Sequence, residues 1–219
     1  MKKHKKTFIL ISGGLDSSIL LSQLLEKYDW IQPVYIRSQN QWEEIELFWL
    51  KRFLRVLRNP KLKPLIILDF PLSDVYENLW SITGKKIPGA YSKDEAVYLP
   101  GKNIVLLAKT AILASQKKIH DLALAPLKTN PFPDAKRSFF TAYEKVLTKA
   151  LAFQIRIRTP FLALTKKQVM TMGRNIPLQF TFSCLNPKGK LHCGRCNKCV
   201  ERKRAFREAE MHDSTRYSR

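Results

Sequence analysis

The four cysteines of the chain, Cys184, Cys193, Cys196 and Cys199, all fall within sixteen residues near its C-terminal end. Scattered core cysteines would not cluster this way, and the spacing suits a metal better than disulfides. Thiolates at such short intervals can wrap one ion, and zinc takes a tetrahedral set of four soft ligands. Four protein ligands close the shell, so a zinc here is structural and not catalytic. An iron–sulfur cluster also uses four cysteines and is the competing reading. Gly194 and the turn at 187–189 suit the tight bends required, and His192 is a substitute ligand ranked below the cysteines.

The second chemical string is Ser12-Gly13-Gly14-Leu15-Asp16-Ser17-Ser18. It follows an apolar run that reads as a strand, and it opens a helical pattern. An α/β sheet binds phosphate at such a place, at the carboxyl end of a strand beside a helix N-terminus. Two glycines let the backbone approach an anion closely, and the three serine hydroxyls can donate to phosphate oxygens. Asp16 would repel phosphate directly, so it holds Mg²⁺ or caps the helix. Gly-Gly alone would read as a tight turn; the whole string after a first strand favours phosphate. Neither G-x-x-x-x-G-K-[ST] nor G-x-G-x-x-G is present.

Positioning these groups requires a scaffold, and the rest of the chain supplies one. Apolar runs at 7–11, 31–36, 64–70, 121–125 and 154–158 read as strands. Helical stripes fill the gaps at 16–28, 42–57, 104–117, 139–151 and 165–173, with Thr165 as N-cap of the last. This alternation predicts a parallel sheet with helices on both faces. The stretch from Gly84 to Pro100 is looser, and the polar end, residues 211–219, reads as a fraying tail. Trp42, Phe48, Trp49 and Phe53 could stack on bases, but their helical spacing reads as core. Lys61, Lys63, Lys85, Lys86 and Lys93 read as solvated surface. Lys102 differs, because it follows a Pro-Gly turn at a helix start, where a cation can meet a phosphate or carboxylate.

Composition bounds the function classes. The 219 residues suffice for one sizeable α/β domain, and 45% hydrophobic residues is ordinary for a globular chain. No run of ~18 apolar residues could span a bilayer, and the apolar run behind the basic start is too short for a signal-peptide core; the expected location is the cytoplasm. The formal net charge is +21, with 39 Lys and Arg against 18 acids. Such a surplus draws polyanions, but the basic residues are spread along the chain, so nucleic-acid contact is only weakly supported.

Ser-Gly-Gly-x-Asp-Ser resembles the PP-loop of the ATP pyrophosphatases, which cleave ATP to AMP and pyrophosphate through an adenylylated substrate. Within that superfamily the chain resembles the QueC family. Ser183-Cys184, Cys193-Gly194-Arg195-Cys196-Asn197-Lys198-Cys199 and Arg202-Lys203-Arg204-Ala205-Phe206 are similar to the QueC ending. Pro100-Gly101-Lys102-Asn103 resembles its Pro-Gly-Arg-Asn, and Phe132-Pro133-Asp134 its Tyr-Pro-Asp. Thr159-Pro160-Phe161 and Leu164-Thr165-Lys166 resemble its Ala-Pro-Leu and Leu-Thr-Lys.

The resemblance implies an adenine nucleotide α-hydrolase-like (Rossmann-like) α/β domain over residues 1–182, with a small C-terminal zinc-binding element over 183–210 packed on it. It implies an ATP-dependent carbon–nitrogen ligase using ATP with Mg²⁺, a structural Zn²⁺ and a homodimeric state. The implied reaction turns 7-carboxy-7-deazaguanine into 7-cyano-7-deazaguanine with ammonia, by adenylylation, amide formation and dehydration. Ser12, Gly13, Gly14, Leu15, Asp16, Ser17 and Ser18 would bind ATP; Asp16 and Lys102 would serve catalysis. Lys102, Asn103 and Asp134 would bind the substrate, although Asp134 reads equally as an N-cap of the following helix.

The chain departs from the family in three places. Tyr35-Ile36-Arg37-Ser38-Gln39-Asn40 stands for Tyr-Gly-Gln-Arg-His, Ala125-Pro126-Leu127 stands for Gly-Val-Asn, and Lys128-Thr129-Asn130-Pro131 lacks the acidic residue. These belong to the substrate pocket, so two alternatives stay open. One is a tRNA-modifying PP-loop enzyme, which the charge favours and the lack of a sulfur-relay cysteine disfavours. The other is a QueC-like protein of the kind found in defence clusters, acting on a protein or nucleic-acid acceptor.

Overall fold

A computed structural model of the chain describes residues 4–218; Met1 to Lys3 of the basic start, and Arg219 of the tail, lie outside the described residues. Five parallel strands form one sheet: β1 (Lys6–Leu10), β2 (Trp30–Arg37), β3 (Ile66–Asp69), β4 (Asp121–Ala123) and β5 (Arg156–Arg158), in the order β3-β2-β1-β4-β5. The long helices are α1 (Leu15–Lys27) and α2 (Glu43–Leu57), joining β1, β2 and β3. Two single turns follow β3, α3 (Ser73–Tyr76) and α4 (Trp80–Thr83), with a 3₁₀ turn at Asp94–Val97. Then come α5 (Lys102–Gln116), a 3₁₀ turn at Pro133–Ala135, α6 (Arg137–Ala150), α7 (Lys166–Met172), a 3₁₀ turn at Leu178–Phe180, and α8 (Asn197–Glu208).

The central strands β1 and β2 are buried on both faces, which is why they are nearly continuous apolar runs, whereas the edge strand β5 reads Arg156-Ile157-Arg158. Successive side chains of a strand point to opposite faces. Ile9 and Ile11 pack with Ile19, Leu20, Phe53 and Val169 on the face of α1, α2 and α7. Phe8 and Leu10 pack with Leu107, Ala111 and Phe140 on the face of α5 and α6. The chain therefore changes face between β3 and β4. In space that change lies between β1 and β4, where connections leave in opposite directions. The crevice at the carboxyl ends of those two strands is the topological switch point, the general ligand site of open α/β sheets.

The stretch from Gly84 to Pro100 is loose as expected, with one 3₁₀ turn, and its Val97 and Leu99 join Leu72, Tyr76, Trp42, Phe182 and the four cysteines in a third apolar cluster. One expectation needs correction: residues 213–218 of the polar end are tied down rather than frayed. Tyr217 donates a 2.6 Å hydrogen bond to Asp213, and the Ser218 N–H donates to the His192 carbonyl at 2.7 Å. The buried Arg202 donates to Thr215 at 2.7 Å. Polar composition alone misses this, because the partners come from α8 and the cysteine segment.

Candidate functional site

A cleft of about 370 Å³ opens at the switch point. Its floor is the loop after β1. Gly13 has φ +80°, a conformation that favours glycine, and a Cβ there would lie 3.1 Å from the Leu50 Cβ. The Gly13 carbonyl accepts a 2.8 Å bond from the Phe182 N–H, so the loop is pinned to the segment leading into Cys184. Ser12, Gly14, Leu15, Asp16 and Ser17 line the cleft. Gly13 and Ser18 do not: Gly13 packs on α2, and the Ser18 hydroxyl is fully buried without a partner. Ser17 donates to the Gly14 carbonyl at 3.3 Å and lies 3.3 Å from the Ser12 hydroxyl.

Asp16 does not cap α1; the N-cap is Gly14, with no side-chain capping bond. Its carboxylate instead accepts two bonds from the Lys166 ammonium, at 2.7 and 2.8 Å. Lys166 also lies 3.0 Å from Glu201, which pairs with Lys198 at 2.6 Å. Burial by itself would lower the Lys166 pKa, but Asp16 and Glu201 outweigh it and raise it. Burial would likewise raise that of Glu201, but Lys166 and Lys198 hold it down at about 2. Carboxylates and ammonium groups thus alternate along the chain of contacts Asp16, Lys166, Glu201, Lys198. Lys166 opens α7, whose start is fixed by the expected cap: Thr165 accepts from the Gln168 N–H, and Gln168 accepts from the Thr165 N–H.

The rest of the cleft lining draws on separate segments. Lys102 and Asn103 start α5 after Gly101, whose φ is +75°. Asp134 is buried and is not the cap of α6, whose N-cap is Lys136. It caps α5 instead: its carboxylate accepts from the Asn103 N–H at 3.0 Å, and the Asn103 amide donates to its carbonyl at 3.0 Å. Lys102, Asn103 and Asp134 thus share one wall. Beside it lies Glu46 of α2, which accepts a 2.6 Å bond from the Tyr35 hydroxyl. Burial pushes the Glu46 carboxyl up to about 7, against the pull of Lys102 and that hydroxyl. Burial and Glu46 together push the Tyr35 phenol far above its ordinary range. Glu43 is committed elsewhere, accepting from the Ser38 and Gln39 N–H groups and from Asn40, so it shapes the loop after β2.

Two stacked aromatic pairs flank the cleft: Trp42 on Trp80 at 5.4 Å and Tyr98 on Phe132 at 4.8 Å between ring centroids. Trp42 is therefore more than helix core, whereas Phe53 is fully buried, as its spacing suggests. Sequence reasoning missed Lys166, Glu201, Glu46 and these pairs as site residues. Lys166 and Phe132 did stand inside the family-like strings; Glu46 and Glu201 left no signal beyond a helical position.

The four cysteines meet as expected. Their sulfurs all lie within 4.8 Å of one another and all are buried. The Sγ separations are 4.0 Å for Cys184–Cys196 and 3.9 Å for Cys193–Cys199. The backbone N–H groups of Leu185, Asn186, Cys193 and Cys196 point at cysteine sulfurs at 3.2–3.4 Å. Such donors favour thiolates, so the cluster can hold a metal ion. His192 is not part of it: its Nε2 accepts from the Ser183 N–H at 3.2 Å, and burial beside Arg202 lowers its pKa to about 3. Cys184, Leu185, Lys198 and Arg202 also line the cleft, so the cluster forms one of its walls. Among the described residues no helix is long and apolar enough to cross a membrane.

A parallel sheet with this switch point, and a Ser-Gly-Gly-Leu-Asp-Ser-Ser loop at the carboxyl end of its first strand, define a PP-loop α/β protein. The model of one family, described as queuosine biosynthesis protein QueC, matches residues 6–210. The chain belongs to the QueC family. It is 31% identical over 222 residues to the 7-cyano-7-deazaguanine synthase of Leptospira interrogans, covering 94% of this chain and 88% of that one. The enzymes of the same name from Desulfotalea psychrophila and Methanocaldococcus jannaschii are 28% and 25% identical. Those matches cover 96% and 97% of this chain, and 98% and 99% of the relatives.

Proposed function

We propose that the chain is an ATP-dependent carbon–nitrogen ligase that converts 7-carboxy-7-deazaguanine, or a close deazaguanine relative, to the 7-cyano compound with ammonia. The observation that carries this reading is one cleft lined both by a phosphate-type loop and by a cation, Lys102. It is supported by the match to relatives of that name over nearly their whole length.

In this reading Ser12, Gly13, Gly14, Leu15, Asp16, Ser17 and Ser18 form the ATP loop. Ser12, Gly14 and Ser17 face the phosphates; Gly13 and Ser18 set the loop's shape from behind. Asp16 meets the Mg²⁺ that ATP brings. The substrate carboxylate attacks the α-phosphorus and pyrophosphate leaves; ammonia then displaces AMP to give the amide. A second ATP adenylylates the amide oxygen, and loss of AMP and a proton gives the nitrile. No side chain acts as nucleophile, so the protein contributes positioning and charge. Lys102 offers its charge to the carboxylate, and the Asn103–Asp134 pair fixes that wall. Glu46, poised near neutrality, accepts the proton that ammonia loses. Of the positions that depart from the family, Ile36, Ala125, Pro126 and Asn130 lie on this cleft.

We further propose that residues 183–210 carry one structural Zn²⁺ on Cys184, Cys193, Cys196 and Cys199, beside an ATP domain of residues 1–182. Four thiolates about 2.3 Å from one ion lie ~3.8 Å apart, and the sulfurs 3.9 and 4.0 Å apart support this reading. The ion cross-links the segment and leaves no open position for chemistry.

The test is incubation with ATP, Mg²⁺, ammonium and 7-carboxy-7-deazaguanine, followed by phosphorus NMR and mass spectrometry. AMP, pyrophosphate and a nitrile are expected. ADP would overturn the loop assignment; AMP without nitrile would discard this acceptor.

A further inference from the structure

The stretch from Gly84 to Pro100 holds little regular structure, yet its Val97, Tyr98 and Leu99 line the cleft with Lys102. A segment with one 3₁₀ turn keeps a wall in place only where contacts from outside fix its backbone. On its C-terminal side the Tyr76 hydroxyl donates to the Pro100 carbonyl at 2.6 Å, and the Lys102 N–H donates to the Leu99 carbonyl at 3.1 Å. Tyr98 itself stacks on Phe132. On its N-terminal side the partner is the cysteine segment. Gly89 pairs with Cys196 in an isolated antiparallel bridge, and the Asn197 N–H donates to the Pro88 carbonyl at 2.9 Å.

The Asn197 side chain adds a third tie. It is buried, and its amide nitrogen donates to the Ser92 carbonyl at 3.0 Å and lies 3.5 Å from an oxygen of Asp94. One amide, with two donors, thus faces the residues on either side of Lys93, where the chain enters the 3₁₀ turn that leads into Tyr98. The loop bends back to meet it: the Gly89 N–H donates to the Ser92 hydroxyl at 3.0 Å, and the Ser92 N–H to the Gly89 carbonyl at 3.2 Å. Asn197 is itself well anchored, as the first residue of α8 between Cys196 and Cys199 of the cluster. It does not line the cleft, so it acts on the cleft through the loop.

We propose that Asn197 is a positioning residue for the acceptor: by holding Ser92 and Asp94 to the start of α8, it sets Val97 and Tyr98 against the cleft and couples the cysteine segment to acceptor binding. This rests on the acceptor reading above. The phosphate loop has its own tie to the cysteine segment, from the Phe182 N–H to the Gly13 carbonyl, and does not depend on Asn197.

Two measurements on the full chain test this. One is calorimetric titration with 7-carboxy-7-deazaguanine and, separately, with ATP·Mg²⁺. The other is the rate of tryptic cleavage after the exposed Lys93, read by mass spectrometry. Asn197→Ala is expected to weaken the acceptor roughly five- to ten-fold, the scale of one lost buried hydrogen bond. The cut after Lys93 should speed up by a similar factor, because cleavage tracks the population of the opened loop. Affinity for ATP·Mg²⁺ should stay within about two-fold of the wild type. Asn197→Asp keeps the shape and loses both donors, and should do at least as much damage. Tyr217→Phe removes a hydrogen bond to Asp213 that does not touch the loop, and should move neither readout. Should the Asn197 variants not fold, Ser92→Ala, which releases the Gly89 N–H from the loop side, carries the same comparison. Wild-type acceptor affinity in a folded variant, equal losses for acceptor and ATP, or the same response from Tyr217→Phe overturn this inference alone. A wild-type chain that binds ATP·Mg²⁺ but not 7-carboxy-7-deazaguanine overturns the acceptor reading, and this inference with it.

Discussion

At one end of the cleft a single string of seven residues makes the floor, and its shape comes from the backbone: a left-handed glycine, a helix start and a carbonyl tied to Phe182. In the rest of the lining Tyr35, Glu46, Lys102 and Asp134 come from a strand, two helices and a 3₁₀ turn, and meet only through tertiary packing. Phosphate is the same in every nucleotide, so contiguous backbone suffices to hold it. An acceptor is particular, and recognising it takes side chains from several elements. The cysteine segment touches both, since Phe182 ties it to the loop and Cys184 lines the cleft.

Variants that act on one end or on both probe that division. Cys196→Ser should have the largest effect, because the proposed metal contributes folding free energy directly, on the order of 10 kcal/mol in small zinc modules. Soluble protein should fall sharply and both ends should fail together. Elemental analysis of the wild-type chain should find one zinc per chain; iron with acid-labile sulfide would refute the assignment. Asp16→Asn should spare the fold and the acceptor end. AMP release should drop by on the order of 10²–10³-fold, the scale for one electrostatic contact in a transition state, with circular dichroism unchanged. Near-normal turnover would leave Asp16 as no more than a partner of Lys166.

Glu46→Gln should act at the acceptor end and through pH. The Glu46 carboxyl titrates at about 7 in the folded chain and near 4.3 when unfolded. A raised folded pKa gives stability that is fully present below the unfolded value and lost as pH rises through the folded one. Wild-type stability should therefore fall between about pH 4.5 and 7, by on the order of 3 kcal/mol, and the Gln variant should lack this fall. If Glu46 is the base, turnover at saturating ATP should rise through pH 7 in the wild type and lose that limb in the variant. An unchanged pH profile would remove it from proton transfer.

What could be read in the chain follows the same division. The strand and helix alternation, the loop and the cysteine spacing are local patterns, and each was visible to within a few residues at its ends. The Thr165 cap was visible because its partner, Gln168, is three residues away. Lys166 was not, because Asp16 lies 150 residues earlier. Glu46 looked like any polar residue on an amphipathic helix; only the fold brings Tyr35 and Lys102 to it. Asp134 is legible both as a pocket residue and as a capping type; as a cap its neighbours in sequence point to α6, whereas its partner lies upstream in α5. The polar tail hid its contacts for the same reason.

The smallest expected effect belongs to that misread cap. Asp134→Asn keeps an oxygen that can accept from the Asn103 N–H, and loses the charge at the start of α5, which faces the positive end of the helix dipole. Stability should fall by about 0.5–1 kcal/mol, and by about 1–2 kcal/mol in Asp134→Ala, where no acceptor remains. Melting curves measure both. The kinetic consequence is the sharper test, because Asn103 and Lys102 are the first residues of the helix that Asp134 holds. A loosened start displaces them from the acceptor without touching the loop after β1. The KM for the acceptor should therefore rise several-fold in the Ala variant, at an ATP KM that stays within about two-fold, since displacement of a positioning group costs most at the atoms it positions. Equal rises in both constants would mean that the two ends of the cleft are one mechanical unit, and that the division drawn between them does not hold.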